Sequence, residues 1–446
     1  MLHPEFAKKP AFRIKAATVL RATREAYRDH VLHEVLDPAA LQTLQDRRAA
    51  DQALFAMRHT RFYRELYRGA GFSEADLGDP AAFAELPTIS KADVREHFDD
   101  IRSDEASERN TAMNRTGGST GEPLKVLRDT RVPARALEWQ LFRWWGLDPS
   151  TDIAIVQRHM KSRAAQVRHA LSWWPSRRFQ LDAYRMNSQT IEEFVATWRS
   201  VRPGLLIGYA GGISELAADI LARKLQVEPP RAVATTAAML TDPQRAMISE
   251  AFGAPVYDHY RSAEVPWIAG ECSAHEGLHV FADVRKLEVL DEAGIASAPG
   301  EAGDTVVTDL NNRVFPLIRY RLGDRTARID GNCSCGVTLP RIESIRGRQS
   351  DALHLPSGQI VAGEGLAQIF SRNVSAVRQF QIHQRDDFSV VLSCISSEHP
   401  DAARDIATVG ENLRTLLNHE VNVSIDLVEH ISHTGGKVKL VTSDAR

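Results

Sequence analysis

The sequence predicts an α/β protein. A large N-terminal domain carries mixed, mostly parallel sheets with helices and a β-rich subdomain, and a small α+β domain follows it. Three observations point to this fold. Between Asp152 and Tyr260, short apolar runs of strand length alternate with helical stretches, the pattern of a parallel sheet covered by helices. After Ala282 the style changes to short runs separated by Gly, Pro and Asn, which reads as antiparallel strands. From Arg346 onward a hairpin, a helix and two strands form a separate set of about 100 residues, enough for an independent small domain. The expected boundaries are therefore 1–345 and 346–446.

Each element has its own signal. Residues 1–70 read as helices, and RFYRELYRGA (61–70) sets Phe62, Leu66 and Tyr67 on one face. Pro87 closes a loop, Ser90 is a helix N-cap, and Asp93 sits in the first turn. Ala134 to Trp145 is an aromatic-rich helix. DIAIVQ (152–157) is a buried strand. Leu205 to Gly208 is a strand followed by a helix from about Ile213 to Lys224. Ala232 to Thr236, Asp242 to Phe252 and Pro255 to Tyr260 repeat the strand–helix–strand order. Arg285 to Leu290, Asp304 to Leu310 and Leu317 to Tyr320 are the expected antiparallel strands. In the small domain, Gln379 to Ile395 is a hairpin turning at Asp386–Asp387 and Asp401 to Asn418 an amphipathic helix. Val421 to Val428 and Lys437 to Val441 are strands.

Composition narrows the function classes. The chain has 446 residues, more than one ordinary core, so two or three units are expected. Hydrophobic residues make up 43% and charged residues 25%, as in soluble globular proteins. A formal net charge of −3 argues against a dedicated nucleic-acid binder. The N-terminus has no apolar run suited to a signal peptide. The longest apolar stretch, Gly204 to Ile213, is about half a membrane span. A cytoplasmic enzyme without membrane attachment is expected. Cys272, Cys333, Cys335 and Cys394 are too few for a disulfide scaffold of this size.

The stretch RTGGSTGEPLKV (115–126) reads as a phosphate cradle. Gly117, Gly118 and Gly121 let backbone N–H groups turn onto an anion. Thr116, Ser119 and Thr120 add hydroxyl donors, and Lys125 adds charge. The spacing fits neither G-x-x-x-x-G-K-[ST] nor G-x-G-x-x-G.

With further stretches the chain resembles the adenylate-forming (acyl-activating) superfamily, in its phenylacetate–CoA ligase-like branch. FYRELYRGAGF and LPTISKADVR are similar to that branch's N-terminal helices and loop entry, and RTGGSTGEPLKV to its phosphate loop. TTAAML (235–240) resembles the small-residue segment against which adenine lies, and VYDHYRSAE (256–264) the adenine-stacking tyrosine motif. PLIRYRLGD (316–324) resembles the ribose-binding motif, IRGRQSD (345–351) the interdomain hinge, and TGGKVKLV (434–441) the C-terminal Gly-Lys segment.

The resemblance implies two steps. A carboxylate attacks the α-phosphorus of ATP to give an acyl-adenylate and pyrophosphate, and a nucleophile, usually the CoA thiol, then displaces AMP. By position, residues 116–121 hold the β- and γ-phosphates, and Ala237, Ala238, Asp258 and Ser262 lie around the nucleotide. Tyr260 stacks on adenine. Asp324 accepts from the ribose hydroxyls. Glu264 binds Mg²⁺. Arg348 lies near the ribose or phosphates, and Lys437 bridges the carboxylate and α-phosphate. The small domain rotates about a hinge at Ser350 or Asp351. Arg261 stands where the motif commonly has Gly, Ala263 where it has a hydroxyl residue, and Ala238 where the branch often has Glu.

Cys272, His279, Cys333 and Cys335 form E-C-x₆-H and C-x-C-G. Three thiols and an imidazole suit structural tetrahedral Zn²⁺, with His275 the competing imidazole. Some members of the resembled branch carry zinc at this place. Cys394 reads as a buried strand residue.

The expected function is ATP-dependent activation of an aryl or other hydrophobic carboxylic acid and its transfer to CoA. The acid pocket is expected between the glycine loop, Trp139 and Phe142, and Tyr209–Gly212. Two alternatives stay open. One is adenylation with transfer to an amine, a carrier-protein thiol or another nucleophile. The other is a nucleotide-binding zinc protein with decayed catalysis. A homodimer is an expectation from the resemblance alone.

Overall fold

The computed structural model describes residues 7–115, 124–157, 163–183, 186–345, 353–357, 360–361, 377–396, 400–429, 431 and 441–445. The chain divides into two compact units. One comprises Met1–Ala237, Ile248–Leu322 and Thr326–Ser344. The other comprises Ala238–Met247, Gly323–Arg325 and Ile345–Arg446.

The first unit opens with helices whose starts are chemically marked. α1 (Pro10–Ala17) and α3 (Pro38–His59) begin on proline, whose missing N–H costs nothing in a first turn. α2 (Arg21–His33) lies between them. Asp37 caps α3 by accepting from the Ala39 and Ala40 N–H groups. In α4 (Arg61–Gly69), Phe62, Tyr63 and Tyr67 are buried, and Leu66 is only half-buried. Tyr63 rather than Leu66 shares the inner face because its hydroxyl donates to the Pro316 carbonyl and accepts from the Ile318 N–H. α5 (Lys91–Glu96) carries the expected cap as a full capping box, with Ser90 and Asp93 bonding each other's backbone. α6 (Phe98–Ile101) follows it.

β1 (Thr111–Arg115) and β2 (Lys125–Asp129) form an antiparallel hairpin in which Arg115 pairs with Lys125. The glycine-rich loop therefore leaves from and returns to one ladder. α7 (Arg135–Trp144) comes next, then β3 (Ile153–Gln157), α8 (Arg163–Trp173), β4 (Arg178–Asp182) and α9 (Ser188–Val201). β5 (Leu205–Tyr209) runs directly into α10 (Ala210–Ala222), three residues earlier than expected. β6 (Ala232–Thr236), α11 (Asp242–Phe252) and β7 (Val256–Tyr260) complete the alternating part. β8 (Ala269–Glu271), β9 (Leu278–Val280), β10 (Arg285–Leu290), β11 (Ala302–Asp309), β12 (Tyr320–Ile329) and β13 (Arg341–Ile342) follow.

Among the described residues, β3 to β13 make one eleven-stranded sheet in the order β10-β11-β12-β13-β9-β8-β7-β6-β5-β3-β4. From β7 to β4 every pairing is parallel. From β7 through β8 and β9 to β13 and β12 the pairings are antiparallel, as is β10 with β11. β7 is the strand where the sense changes. This is the predicted mixed α/β architecture, with one correction. Leu317 to Ile318 is loop, and the strand starts at Tyr320 and runs on to Ile329. The preceding Arg319 sits at φ 48°, which interrupts an extended run. Its guanidinium bonds Glu288 and the carbonyls of Ala84 and Leu86.

α7 lies across one face of the parallel part. Leu137, Leu141, Phe142 and Trp145 pack with Ile153, Ile155, Leu205, Ala232, Ala234 and Tyr257. Gly270 permits this close approach, and Gly208 permits that of β5 to β3. A Cβ at Gly270 would lie 2.2 Å from the Leu141 side chain, and one at Gly208 only 1.9 Å from the Val156 carbonyl oxygen.

In the second unit, β14 (Leu353–His354) pairs with β15 (Ile360–Val361). β16 (Val377–Gln384) and β17 (Val390–Ser396) form the predicted hairpin, with β18 (Val423–Leu427) and β19 (Val441–Ser443) at the edges. α12 (Ala402–Leu416) buries Ile406, Val409 and Leu413. Cys394 is fully buried in β17, as expected. Of the strand expected at Lys437 to Val441, residues 437–440 lie outside the described residues.

Because the clash at Gly208 is with backbone, Gly208→Ala is expected to destabilise the protein by about 3 kcal/mol. Gly78→Ala, where an added Cβ meets nothing within 4 Å, should stay within about 0.5 kcal/mol of wild type. Urea denaturation of the two variants checks both values.

Candidate active site and metal centre

The carboxyl end of β7 gathers the residues that the sequence singles out. Asp258 is buried, and its N–H donates to Glu271 Oε2 at 2.7 Å. Thr235 Oγ1 lies 3.5 Å from its carboxylate. Tyr260 ends the strand and is mostly buried. The chain then turns. The Ser262 N–H donates to the Val265 carbonyl at 3.1 Å, and the Val265 N–H returns to Ser262 Oγ at 2.9 Å. The Ser262 hydroxyl is thus engaged in its own turn. Asn114, at the end of β1, donates to the Ala263 carbonyl at 3.1 Å and ties the hairpin beneath the glycine loop to this turn. Glu264 is buried and accepts from the Tyr320 hydroxyl at 3.2 Å.

Arg261, in place of a small residue, lays its guanidinium over the Trp267 ring at 4.7 Å, a cation–π contact. Ala237 follows β6 at φ 74°, a conformation costly for a residue with a Cβ. Ala238 is next to it and exposed. Asp324 is buried within β12. Thr116, Gly117, Gly118, Ser119, Thr120 and Gly121 lie outside the described residues, as do Arg348, Ser350, Asp351 and Lys437. Asn114 has no sequence signal of its own, and Tyr320, although inside PLIRYRLGD, is not singled out by it. Only the fold brings them to Ala263 and Glu264.

The aromatic residues expected to line the acid pocket are core instead. Trp139 packs edge-on against Phe12 and Tyr27, with centroids 5.7 and 6.0 Å away. Phe142 is fully buried beside Trp145. Both face the packing interior of α7.

Cys272, His279, Cys333 and Cys335 come together from β8–β9 and the loop before β13, with ligand atoms all within 4.8 Å of one another. Cys272 Sγ lies 3.6 Å from Cys333 Sγ, and Cys335 Sγ lies 3.4 Å from His279 Nε2. Edges of this length suit a tetrahedron with metal–sulfur bonds of about 2.3 Å. His279 Nδ1 meets the Leu339 carbonyl at 3.0 Å, which fixes the tautomer and turns Nε2 toward the thiols. The residues fit a dication. The competing His275 is engaged elsewhere: it stacks on Tyr257 and pairs with Glu271.

No model of a known protein family matches the chain. It is similar to Protein CapK of Staphylococcus aureus, 22% identical over 90% of this chain and 89% of that protein. It is also similar to a phenylacetate–coenzyme A ligase of Thermus thermophilus, 24% identical over 72% of this chain and 73% of that one. Among solved structures it matches a 2-hydroxyisobutyryl-CoA ligase in the postadenylation state, in complex with an acyl-AMP. The TM-score there is 0.76 at 20% identity, covering 92% of this chain and 91% of the other. The chain thus shares the fold of that ligase, and its motifs follow the order of the adenylate-forming superfamily that the sequence resembles. Its similarity to phenylacetate–coenzyme A ligases extends over most of the chain at low identity.

A second His-rich cluster has a structural explanation. His30 and His33 on α2 place their Nδ1 atoms 2.6 and 2.9 Å from one oxygen of the buried Asp283. Burial pushes this carboxyl up, but the hydrogen bonds from the two imidazoles outweigh it and hold the group well below the usual carboxylate range. A depressed folded-state value gives stability that is fully present above the unfolded carboxylate value and is lost progressively as pH falls below it and through the folded-state value. Asp283→Asn should therefore lower the melting temperature clearly at about pH 6, with the gap to wild type shrinking below about pH 4. Thermal melts across that range test the assignment.

Proposed function

We propose that the chain is an AMP-forming acid–CoA ligase, which activates a carboxylic acid with ATP and passes the acyl group to the CoA thiol. The observation that carries this reading is the tie between Asn114 and the Ala263 carbonyl. It joins the hairpin bearing the glycine-rich loop to the turn bearing Tyr260 and Glu264. On this reading, the hydrogen bond ties the triphosphate grip to the adenine platform.

In this reading, Thr116 to Gly121 take the β- and γ-phosphates, and Tyr260 takes the adenine face. Ala237, Ala238, Asp258 and the Ser262 backbone border the purine. Asp324 accepts from the ribose hydroxyls. Glu264 would hold Mg²⁺, its orientation set by the Tyr320 hydroxyl, and the cation would offset the charge of the triphosphate. Arg348 and Lys437 supply positive charge where the acid oxygen attacks the α-phosphorus. The carboxylate oxygen bonds to phosphorus, the bond to pyrophosphate breaks, and the CoA sulfur later displaces AMP from the acyl carbon. The Cys272–His279–Cys333–Cys335 cluster would hold structural Zn²⁺, since four protein ligands leave no open position.

Carboxylate-dependent exchange of labelled pyrophosphate into ATP tests the first step, and thioester formation on adding CoA tests the second. Lys437→Ala is expected to cut exchange by about 10²-fold or more while ATP still binds. Near-normal exchange in that variant removes Lys437 from the reaction. Elemental analysis should find close to one zinc per chain, and Cys333→Ser should lower both zinc content and melting temperature. A zinc content under about 0.2 per chain without chelator treatment rejects the metal assignment.

A further inference from the structure

The parallel strands carry three cross-strand rows on the face covered by α7. Leu205 pairs with Ala232, and Ile207, Ala234 and Tyr257 form the next row. Both are apolar and belong to the core beneath α7. Two residues further on, Tyr209 pairs with Thr236, and His259 stands beside them two residues past Tyr257. The row Tyr209–Thr236–His259 lies at the carboxyl edge of the sheet, where open α/β sheets take their ligands. Two hydroxyls and an imidazole thus cap an otherwise apolar stack.

Among the described residues, Thr236 and His259 have no protein partner for their side-chain polar atoms. Thr236 is 7% exposed and its Oγ1 has no hydrogen-bond partner among the described residues. His259 is 2% exposed, and neither ring nitrogen has a partner there. The Thr235 backbone lies near enough to favour the protonated ring slightly, but not in hydrogen-bond geometry. The His259 ring is held by its faces. It stacks on Trp267 with centroids 5.4 Å apart, and Trp145 packs against it at 6.0 Å. Burial, with the Arg261 charge nearby, lowers its pKa to about 3, so it is a neutral donor and acceptor across the physiological range. Leaving such groups unpaired is unfavourable. A ligand that hydrogen-bonds to them recovers this.

We propose that the row Tyr209–Thr236–His259 reads an uncharged hydroxyl or carbonyl group on the acid substrate, so that the acid is polar-substituted rather than a plain hydrocarbon. The inference rests on the acid-activating reading above and names its substrate class. It also fits the burial of Trp139 and Phe142 in the core, which removes the two aromatic side chains expected to greet an aryl group. A site built to hydrogen-bond a substrate hydroxyl rejects the analogue that lacks it, because its own groups are then left unpaired.

The test is pyrophosphate exchange with pairs of acids of matched shape, each pair differing by a hydroxyl in place of a methyl group. Wild type should favour the hydroxylated member by about 10²-fold or more in kcat/KM. Thr236→Val, which keeps shape and removes the hydroxyl, should shrink that ratio by about tenfold, as should His259→Leu. Melting curves confirm that each variant is folded, and Thr236→Val serves alone if His259→Leu is not. Exchange with equal rates for both members of every pair, or ratios unmoved by Thr236→Val, overturns the row's role and leaves acid activation standing. Exchange with no acid at all removes the activation reading and this inference with it.

Discussion

The constraint on which the site depends is that β7 has neighbours of opposite sense. It runs parallel to β6 and antiparallel to β8. A parallel pairing needs a covering crossover such as α11, whereas an antiparallel one can be made by a short turn. Asp258, His259 and Tyr260 are therefore set from two directions at once: by the helix-covered wing on one side and by the 261–268 turn on the other. Neither wing can shift in register without carrying the other, because one residue of slip would exchange the faces of Tyr257 and Asp258. Gly270 lets the antiparallel wing approach α7, and Gly208 lets β5 approach β3 within the parallel wing.

The antiparallel wing meets a different problem. β8, β9 and β13 are only two or three residues long, so their ladders contribute few hydrogen bonds. The cysteine–histidine cluster joins the β8–β9 region to the segment that feeds β13, across 61 residues between Cys272 and Cys333. A metal bound by the cluster, as proposed above, would cross-link segments whose ladders are short. On the other flank, His30 and His33 bind Asp283 just before β10, while Gln45 donates to the Ala282 and Arg285 carbonyls. The N-terminal helices thus fasten the same wing from outside.

How much of this was legible depended on the kind of signal. The Ser90–Asp93 cap, the strand–helix alternation and the β16–β17 turn are local and were readable from residue type and spacing. The metal-type cluster was readable because thiols at close spacing are rare. β4, RFQLD, was missed because it is a half-buried edge strand without a continuous apolar run. α8 and α9 fell with it into the unassigned stretch. The strand at 320–329 was placed too early because an apolar Leu317–Ile318 pair looks extended, and nothing local reveals that Arg319 adopts a left-handed conformation. At the candidate site, Tyr260, Glu264 and Asp324 are singled out by motif order, and all three are buried. Tyr320 and Asn114 act across the fold and are not singled out locally.

His259 shows why a motif reading underdetermines specificity. Its two neighbours in the strand, Asp258 and Tyr260, share the opposite face and answer to the nucleotide motif. His259 faces α7 with Tyr257, and its alternation with them is enforced by the pleat. On that face, an apolar residue at 259 would complete the core without cost. An imidazole stacked on Trp267 and packed against Trp145 gains packing but leaves its nitrogens without a partner among the described residues. The neighbouring Thr236 carries the same debt where a valine of equal shape would carry none. Two adjacent strands bearing the same unfavourable choice at the same level is a pattern that packing alone does not produce. It is resolved when a polar atom arrives from the carboxyl edge of the sheet.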